Sequence, residues 1–168
     1  GYQQLPDTAP LAPVVPRVRS ATQRGAFAVR RALAALGYLE TINFSFVDES
    51  WERQLAGNPD PVRLLNPIAS QMSVMRSSLL GSLLQVVKHN TDRRADRVRV
   101  FELGRVFRRD ATVTTTDSSV HGVAQPMHVA GVAYGPANRQ GWQGRQGAVD
   151  FYDLKGDVEA LLSPRQPV

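Results

Sequence analysis

The strand-like segments of this chain follow one another through short turns, with only a few helices between them. That order constrains the fold more than any other feature of the sequence. Strands joined by short turns pair antiparallel, whereas parallel pairs need long crossover connections. From Thr41 to Phe46 the residues alternate: Ile42, Phe44 and Phe46 share one side, and Thr41, Asn43 and Ser45 share the other. This is the period of a half-buried strand. Val62 to Leu65 reads as a short strand closed by Asn66-Pro67, and Met72 to Met75 as another. Arg97 to Arg109 reads as two strands around Gly104, and Met127 to Tyr134 as a strand that is apolar at nearly every position. The expectation is an α+β fold, a mainly antiparallel sheet flanked by helices on one face.

Helical segments are recognised by period and by their end signals. Ala26, Val29, Leu33 and Leu36 recur at three- and four-residue steps; Ser20 or Thr22 opens this helix and Gly37 stops it. Asp48 is placed to N-cap a short helix through Trp51 and Leu55, which Gly57-Asn58-Pro59 ends. Ser77 or Ser78 caps a helix carrying Leu79, Leu80, Leu83, Leu84 and Val87. Its apolar face is wide, which implies burial on two sides or a partner. Asp150 to Leu162 ends in a helix with Leu154, Val158, Leu161 and Leu162 on one side. Prolines at positions 6, 10, 13 and 16 block both helix and central strand. Residues 1–18 therefore read as a linker from an upstream domain, and 19–168 as the domain itself. Ala111 to Ser119 is a polar loop, and Gly135 to Gly147 is rich in Gly, Gln and Asn.

Composition removes several classes of function. The 168 residues, 42% of them hydrophobic, suffice for one domain with a core. No apolar run approaches the ~18 residues of a membrane span, and the N-terminus has no signal-peptide pattern. The chain has no cysteine, which excludes a disulfide framework, a cysteine nucleophile and a thiolate metal site, and points to a cytoplasmic protein. His89, His121 and His128 lack ligand spacing, so no metal site is expected. Neither a glycine-rich phosphate loop nor a nucleophile elbow is present. The net charge of +5 is carried almost wholly by arginine, Lys88 and Lys155 being the only lysines. That excess permits a nucleic-acid or nucleotide partner, and a GC-rich genome produces the same bias. Asp150, Asp153, Asp157 and Glu159 form an acidic cluster that suits either a divalent cation or a helix N-terminus, with the helix favoured.

The stretch Phe101-Glu102-Leu103-Gly104-Arg105-Val106-Phe107-Arg108 is the most informative local pattern. It resembles motif 2 of the class II aminoacyl-tRNA synthetases, in which Arg108 would be the ATP-contacting arginine. Asp110 stands where that motif usually has Glu, and Arg109 is an atypical neighbour. Gly1-Tyr2 through Leu5-Pro6, Gly37-Tyr38, Asn43-Phe44-Ser45-Phe46, Leu65-Asn66-Pro67-Ile68, Ser73 to Leu80 and Asp150 to Gly156 occur in the same chain, in this order. Together they are similar to the β subunit of bacterial phenylalanyl-tRNA synthetase, in its catalytic-like class II domain, and the resemblance covers nearly the whole chain.

That resemblance implies membership of a cytoplasmic α2β2 enzyme that attaches phenylalanine to its tRNA with ATP and magnesium. The alpha subunit and tRNA would be the partners, and no membrane. Catalysis belongs to the alpha subunit. This stretch would supply no catalytic, cofactor or metal-binding residue and would serve as a structural domain at the subunit interface, truncated at its C-terminus. No motif-3-like segment follows Leu162. The alternative is a fragment of an active class II synthetase with Arg108 as an ATP ligand; a further alternative is an α+β nucleic-acid binder, resting on arginine content alone. Arg108 is expected to pair with Glu102 or Asp110. Met72, Val74, Met75, Leu79, Leu80 and Leu83 form a dense apolar run with Arg76 set inside it. It reads as ordinary core or as a shared surface, and the resemblance favours the surface, with Met75, Arg76, Leu79, Leu80 and Leu83 as the candidate interface.

Overall fold

The computed structural model describes residues 25–138 and 147–163. Its centre is β4 (Val98–Arg105), which pairs antiparallel along its full length with β7 (Met127–Tyr134), from Val98↔Tyr134 to Arg105↔Met127. On the other side of β4 lies β1 (Leu39–Glu40), with Leu39↔Val100 and Glu40↔Phe101, and this pairing is parallel. The sheet order is β1-β4-β7. Two smaller antiparallel pairs complete the set: β2 (Phe46–Val47) with β3 (Val74–Met75), and β5 (Arg108–Arg109) with β6 (Val123–Ala124). The fold is α+β, as expected, and its main sheet is mixed. The chain between β1 and β4 contains two helices, α2 (Glu49–Gln54) and α3 (Leu80–Thr91), and so forms the long crossover that a parallel pair requires.

Helices cover both faces of the sheet, where one covered face was expected. Val100 and Phe101 are successive residues of β4 and so point to opposite sides. On the first side Leu79 and Leu83 pack with Val98, Val100 and Val106, flanked by Ala130 and Val132 of β7. On the second, Leu33 of α1 (Ala26–Ala35), Tyr38 and Phe101 form a smaller cluster, with Leu161 of α4 (Phe151–Leu162) against it. The cross-strand register explains the division: Val132 lies opposite Val100, and Ala133 opposite Arg99. At the start of α3, Trp51 of α2 lies against Gly81, where a Cβ would come 3.0 Å from the indole Cε3.

The end signals of the helices act largely as read. Gly37 has φ +85°, and its N–H and that of Tyr38 donate to Ala34 O (3.0 Å) and Leu33 O (3.1 Å), closing α1. Asp48 caps α2 through the Ser50 N–H at 2.8 Å. That bond and the Ser50 hydroxyl hold the Asp48 carboxyl below its ordinary range. Asp150 and Asp153 form a reciprocal capping box at the start of α4, so these acids belong to the helix end. The third acid, Asp157, accepts from Tyr38 Oη (2.7 Å) and Arg99 Nη1 (3.0 Å). Burial, and then the Asp157 bond, push the Tyr38 phenol up to about 12. The neutral phenol is the form that folding favours, so its contribution is complete below pH ~10 and is lost as pH rises through about 12. The linker over 1–18 and the helix openers Ser20 and Thr22 lie outside the described residues.

Further strand readings change, beginning with Met72 to Met75, where Ser70–Met72 is a 3-10 turn and only Val74–Met75 is strand. Gly104 does not break the strand; β4 runs through it, and the interruption falls at Val106-Phe107. Val62 to Leu65 makes only an isolated bridge, Arg63↔Val74. Residues 41–45 form an irregular connection between β1 and β2, not a strand, and the apolar members of the alternation point outward: Ile42 is 92% exposed and Phe44 65%.

Gly135 has φ +88°, and a Cβ there would run into the Asp96 carbonyl oxygen; Gly122 has φ +73° with open space around it. Gly122→Ala is expected to cost about 1–2 kcal/mol from backbone conformation alone. Gly135→Ala should cost clearly more, because the clash is with backbone. Chemical denaturation of the two variants gives the comparison; equal losses would show that the Asp96 turn relaxes freely.

Candidate interaction site

The polar centre of the molecule is an ion pair inside the core. Glu102, on β4, and Arg76, which follows β3, are 3% and 2% exposed, and Arg76 Nη2 lies 2.7 Å from Glu102 Oε1. Arg76 Nε donates to Arg105 O at 3.2 Å, and Asn43 Nδ2 donates to the second carboxylate oxygen of Glu102 at 2.8 Å. The guanidinium lies over Gly104, where a Cβ would come within 2.5 Å of Nη2; any larger residue would displace it. Arg76 Nη1 is buried without a hydrogen-bond partner. The Arg76 backbone is engaged as well, its N–H donating to Ser45 O (3.0 Å) and its carbonyl accepting from Phe107 N–H (2.8 Å). Three segments distant in sequence therefore meet at one residue.

A second buried acid lies beside it. Glu52 of α2 is 2% exposed and accepts from the Ser77 N–H (2.9 Å), the Ser77 hydroxyl and Asn58 Nδ2 (3.0 Å). Ser77 also borders an open groove of about 370 Å³ lined by residues of the 56–60 loop together with Arg108 and Arg109. Arg109 pairs with Asp60 at 2.9 Å, and Arg108 Nη2 donates to the Ser77 carbonyl at 3.4 Å. The acids expected to pair with Arg108 are engaged elsewhere. Glu102 is held by Arg76 and Asn43, and Asp110 accepts from the N–H and hydroxyl of Thr112, bonds that hold its carboxyl below the usual range.

The structure divides the candidate interface. Arg76, Leu79 and Leu83 are 2%, 2% and 0% exposed and belong to the core, because β4 and β7 cover this side of α3 and the Glu102 carboxylate draws Arg76 inward. These three residues are corrected from surface to interior. Met75 is half-buried, whereas Leu80 and Leu84, one turn apart on α3, are each 43% exposed.

Larger apolar surface lies where periodicity did not place it. Leu39 is 70% exposed and stands beside Ile42 and Phe44 in the 39–44 stretch. Along α4, Phe151, Val158 and Leu162 are 70%, 53% and 74% exposed, while Leu161 packs inward. An alternating pattern shows that two faces differ; which face turns inward is decided by what lies opposite, here Glu102. Among the described residues no group of three or more His, Asp or Glu side chains is placed to hold a metal ion.

Removing one member of the buried pair leaves the other charged, buried and alone. Arg76→Ala and Glu102→Ala should each cost about 3–5 kcal/mol, and Arg76→Met combined with Glu102→Leu should cost clearly less than the sum. Denaturant midpoints for the two singles and the double provide the test, and simple additivity would show that the pair is not coupled.

The model of the phenylalanyl tRNA synthetase beta chain CLM domain matches residues 5–166. The chain is similar to the phenylalanine–tRNA ligase beta subunit of Burkholderia pseudomallei (strain 1710b), at 52% identity over 164 residues, covering 98% of this chain and 20% of that protein. The beta subunit of Ralstonia nicotianae is 53% identical over 166 residues, covering 99% of this chain and 20% of that one. That of Bordetella bronchiseptica is 50% identical over 165 residues, covering 98% and 20%. The chain thus spans about a fifth of the length of these relatives. A solved pyrrolysyl tRNA synthetase of Desulfitobacterium hafniense matches with a TM-score of 0.49 and 13% identity, over 81% of this chain and 43% of that one, a likeness too distant to carry an argument.

Proposed function

The chain belongs to the phenylalanyl-tRNA synthetase beta chain family, and on that premise we propose that it is a non-catalytic, class II-like domain through which a beta subunit packs against an alpha subunit. The assembled enzyme would join phenylalanine to its tRNA with ATP and magnesium in the cytoplasm. Residues 19–168 would belong to this domain and 1–18 would link it to what precedes.

One observation carries the reading. Leu39, Ile42 and Phe44 stand 65–92% exposed while Thr41 and Asn43, which alternate with Ile42 and Phe44, are turned inward. Large apolar side chains clustered in one short stretch mark an interaction surface when polar residues of the same stretch have been drawn into the core instead. Leu80 and Leu84 on α3 add a second piece of exposed apolar surface. The geometry at Arg108 supports a structural role. Its guanidinium reaches the Ser77 carbonyl across the groove, where the neighbouring Arg109 is paired with the Asp60 carboxylate. No helix among the described residues is long and apolar enough to cross a membrane.

Two measurements test this. In the full-length beta subunit, Ile42→Asp with Phe44→Asp should abolish co-purification with the alpha subunit while circular dichroism stays unchanged. Normal assembly of the double variant would sink the interface reading. In the assembled enzyme, Arg108→Ala should leave ATP–pyrophosphate exchange unchanged; a loss of about tenfold or more, ~1.4 kcal/mol, would make Arg108 a nucleotide ligand.

A further inference from the structure

An alternating segment can lie on a core in two ways, and the favourable way is normally apolar side in. Segment 41–45 does the opposite. Its ends are fixed by backbone hydrogen bonds, Thr41 N–H to Phe101 O at 2.8 Å and Arg76 N–H to Ser45 O at 3.0 Å. Between those points the inward side chains are Thr41 and Asn43. The Thr41 hydroxyl donates to Phe101 O at 3.3 Å, and Asn43 Nδ2 donates to Thr41 Oγ1 at 3.2 Å and to Glu102 Oε2 at 2.8 Å. Glu102 is the group that makes this arrangement necessary. Arg76 takes one carboxylate oxygen and Asn43 the other. Were the segment to slip by one residue, Ile42 or Phe44 would face the carboxylate and leave an ionised oxygen buried without a donor, a costlier outcome than exposing the apolar pair.

We infer that Glu102 acts through Asn43 as the positioning residue of the proposed partner surface, holding the polar side of segment 41–45 inward and thereby turning Ile42 and Phe44 outward. The inference rests on the interface reading only for the use of that surface; the presentation itself is a property of this chain. Through Arg76 the same carboxylate is tied to the Phe107 N–H and the Arg105 carbonyl, so the outward residues are held in register with the end of β4.

These 168 residues contain no cysteine, so within their peptides an introduced cysteine is the sole thiol, and thiols elsewhere in the full-length subunit are read on other peptides. In the full-length beta subunit without its partner, maleimide labelling read peptide by peptide should proceed several-fold faster in Ile42→Cys than in Thr41→Cys. Adding Asn43→Ala should bring the two rates together, while hydrogen exchange shows the α3 amides still protected. An unchanged rate ratio in Asn43→Ala overturns the inference. If α3 protection is lost in that variant, Asn43→Ser, which keeps a polar side chain at the position, decides instead: a reduced ratio supports the inference and the parent ratio overturns it. Assembly with the alpha subunit is measured on the same variants. A collapsed ratio with normal assembly leaves the positioning role standing and removes the interface reading; an unchanged ratio with lost assembly does the reverse.

Discussion

The contact on which the rest depends is the Arg76–Glu102 ion pair, closed at 2.7 Å with both side chains almost fully buried. Its net contribution to stability is modest, because desolvating two charges offsets most of their attraction. Its consequence is geometric. A buried carboxylate must have both oxygens satisfied and a buried guanidinium must have something to point at, so each group around the pair is committed to one place. A side chain at Gly104 would push the Arg76 guanidinium from its place, Asn43 faces inward, and the Arg105 carbonyl turns toward Arg76.

Apolar packing is arranged around this polar centre. Leu79, Leu83, Val98, Val100 and Val106 build the larger cluster on the α3 side of the sheet. The opposite side is thinner, with Leu33, Tyr38 and Phe101 at its centre. There α4 is held by the packing of Leu161 and by Asp157, which takes hydrogen bonds from Tyr38 and Arg99. A helix positioned by a polar contact can leave apolar residues outside, and α4 does so with Phe151 and Leu162. The connection 41–45 follows the same logic. In both places polar anchors decide which apolar surface remains available to something else.

Family membership and the interior geometry bear on different questions. The family match and the relatives at 50–53% identity say what kind of protein this is. The geometry says which residues reach the surface: Arg76, Leu79 and Leu83 lie in the interior, and Leu39, Ile42 and Phe44 stand exposed. Arg108 has the sequence context of a nucleotide-contacting residue, yet its guanidinium reaches the Ser77 backbone carbonyl.

The sequence by itself determined the family, the α+β class, the strand Met127–Tyr134, and the ends of helices at Gly37, Asp48 and Asp150. These are legible because they depend on local chemistry: a glycine that tolerates positive φ, a carboxylate that caps its own helix, motifs kept in order along the chain. Only the tertiary structure decided the parallel placement of β1, the covering of both sheet faces and the inward turn of Arg76. It also decided the outward turn of Ile42 and Phe44. The physical reason is common to all four. Periodicity distinguishes two faces of an element without saying what lies opposite either one. Glu102 lies 59 residues from Asn43 in sequence, and only the fold brings the carboxylate to the amide that it needs.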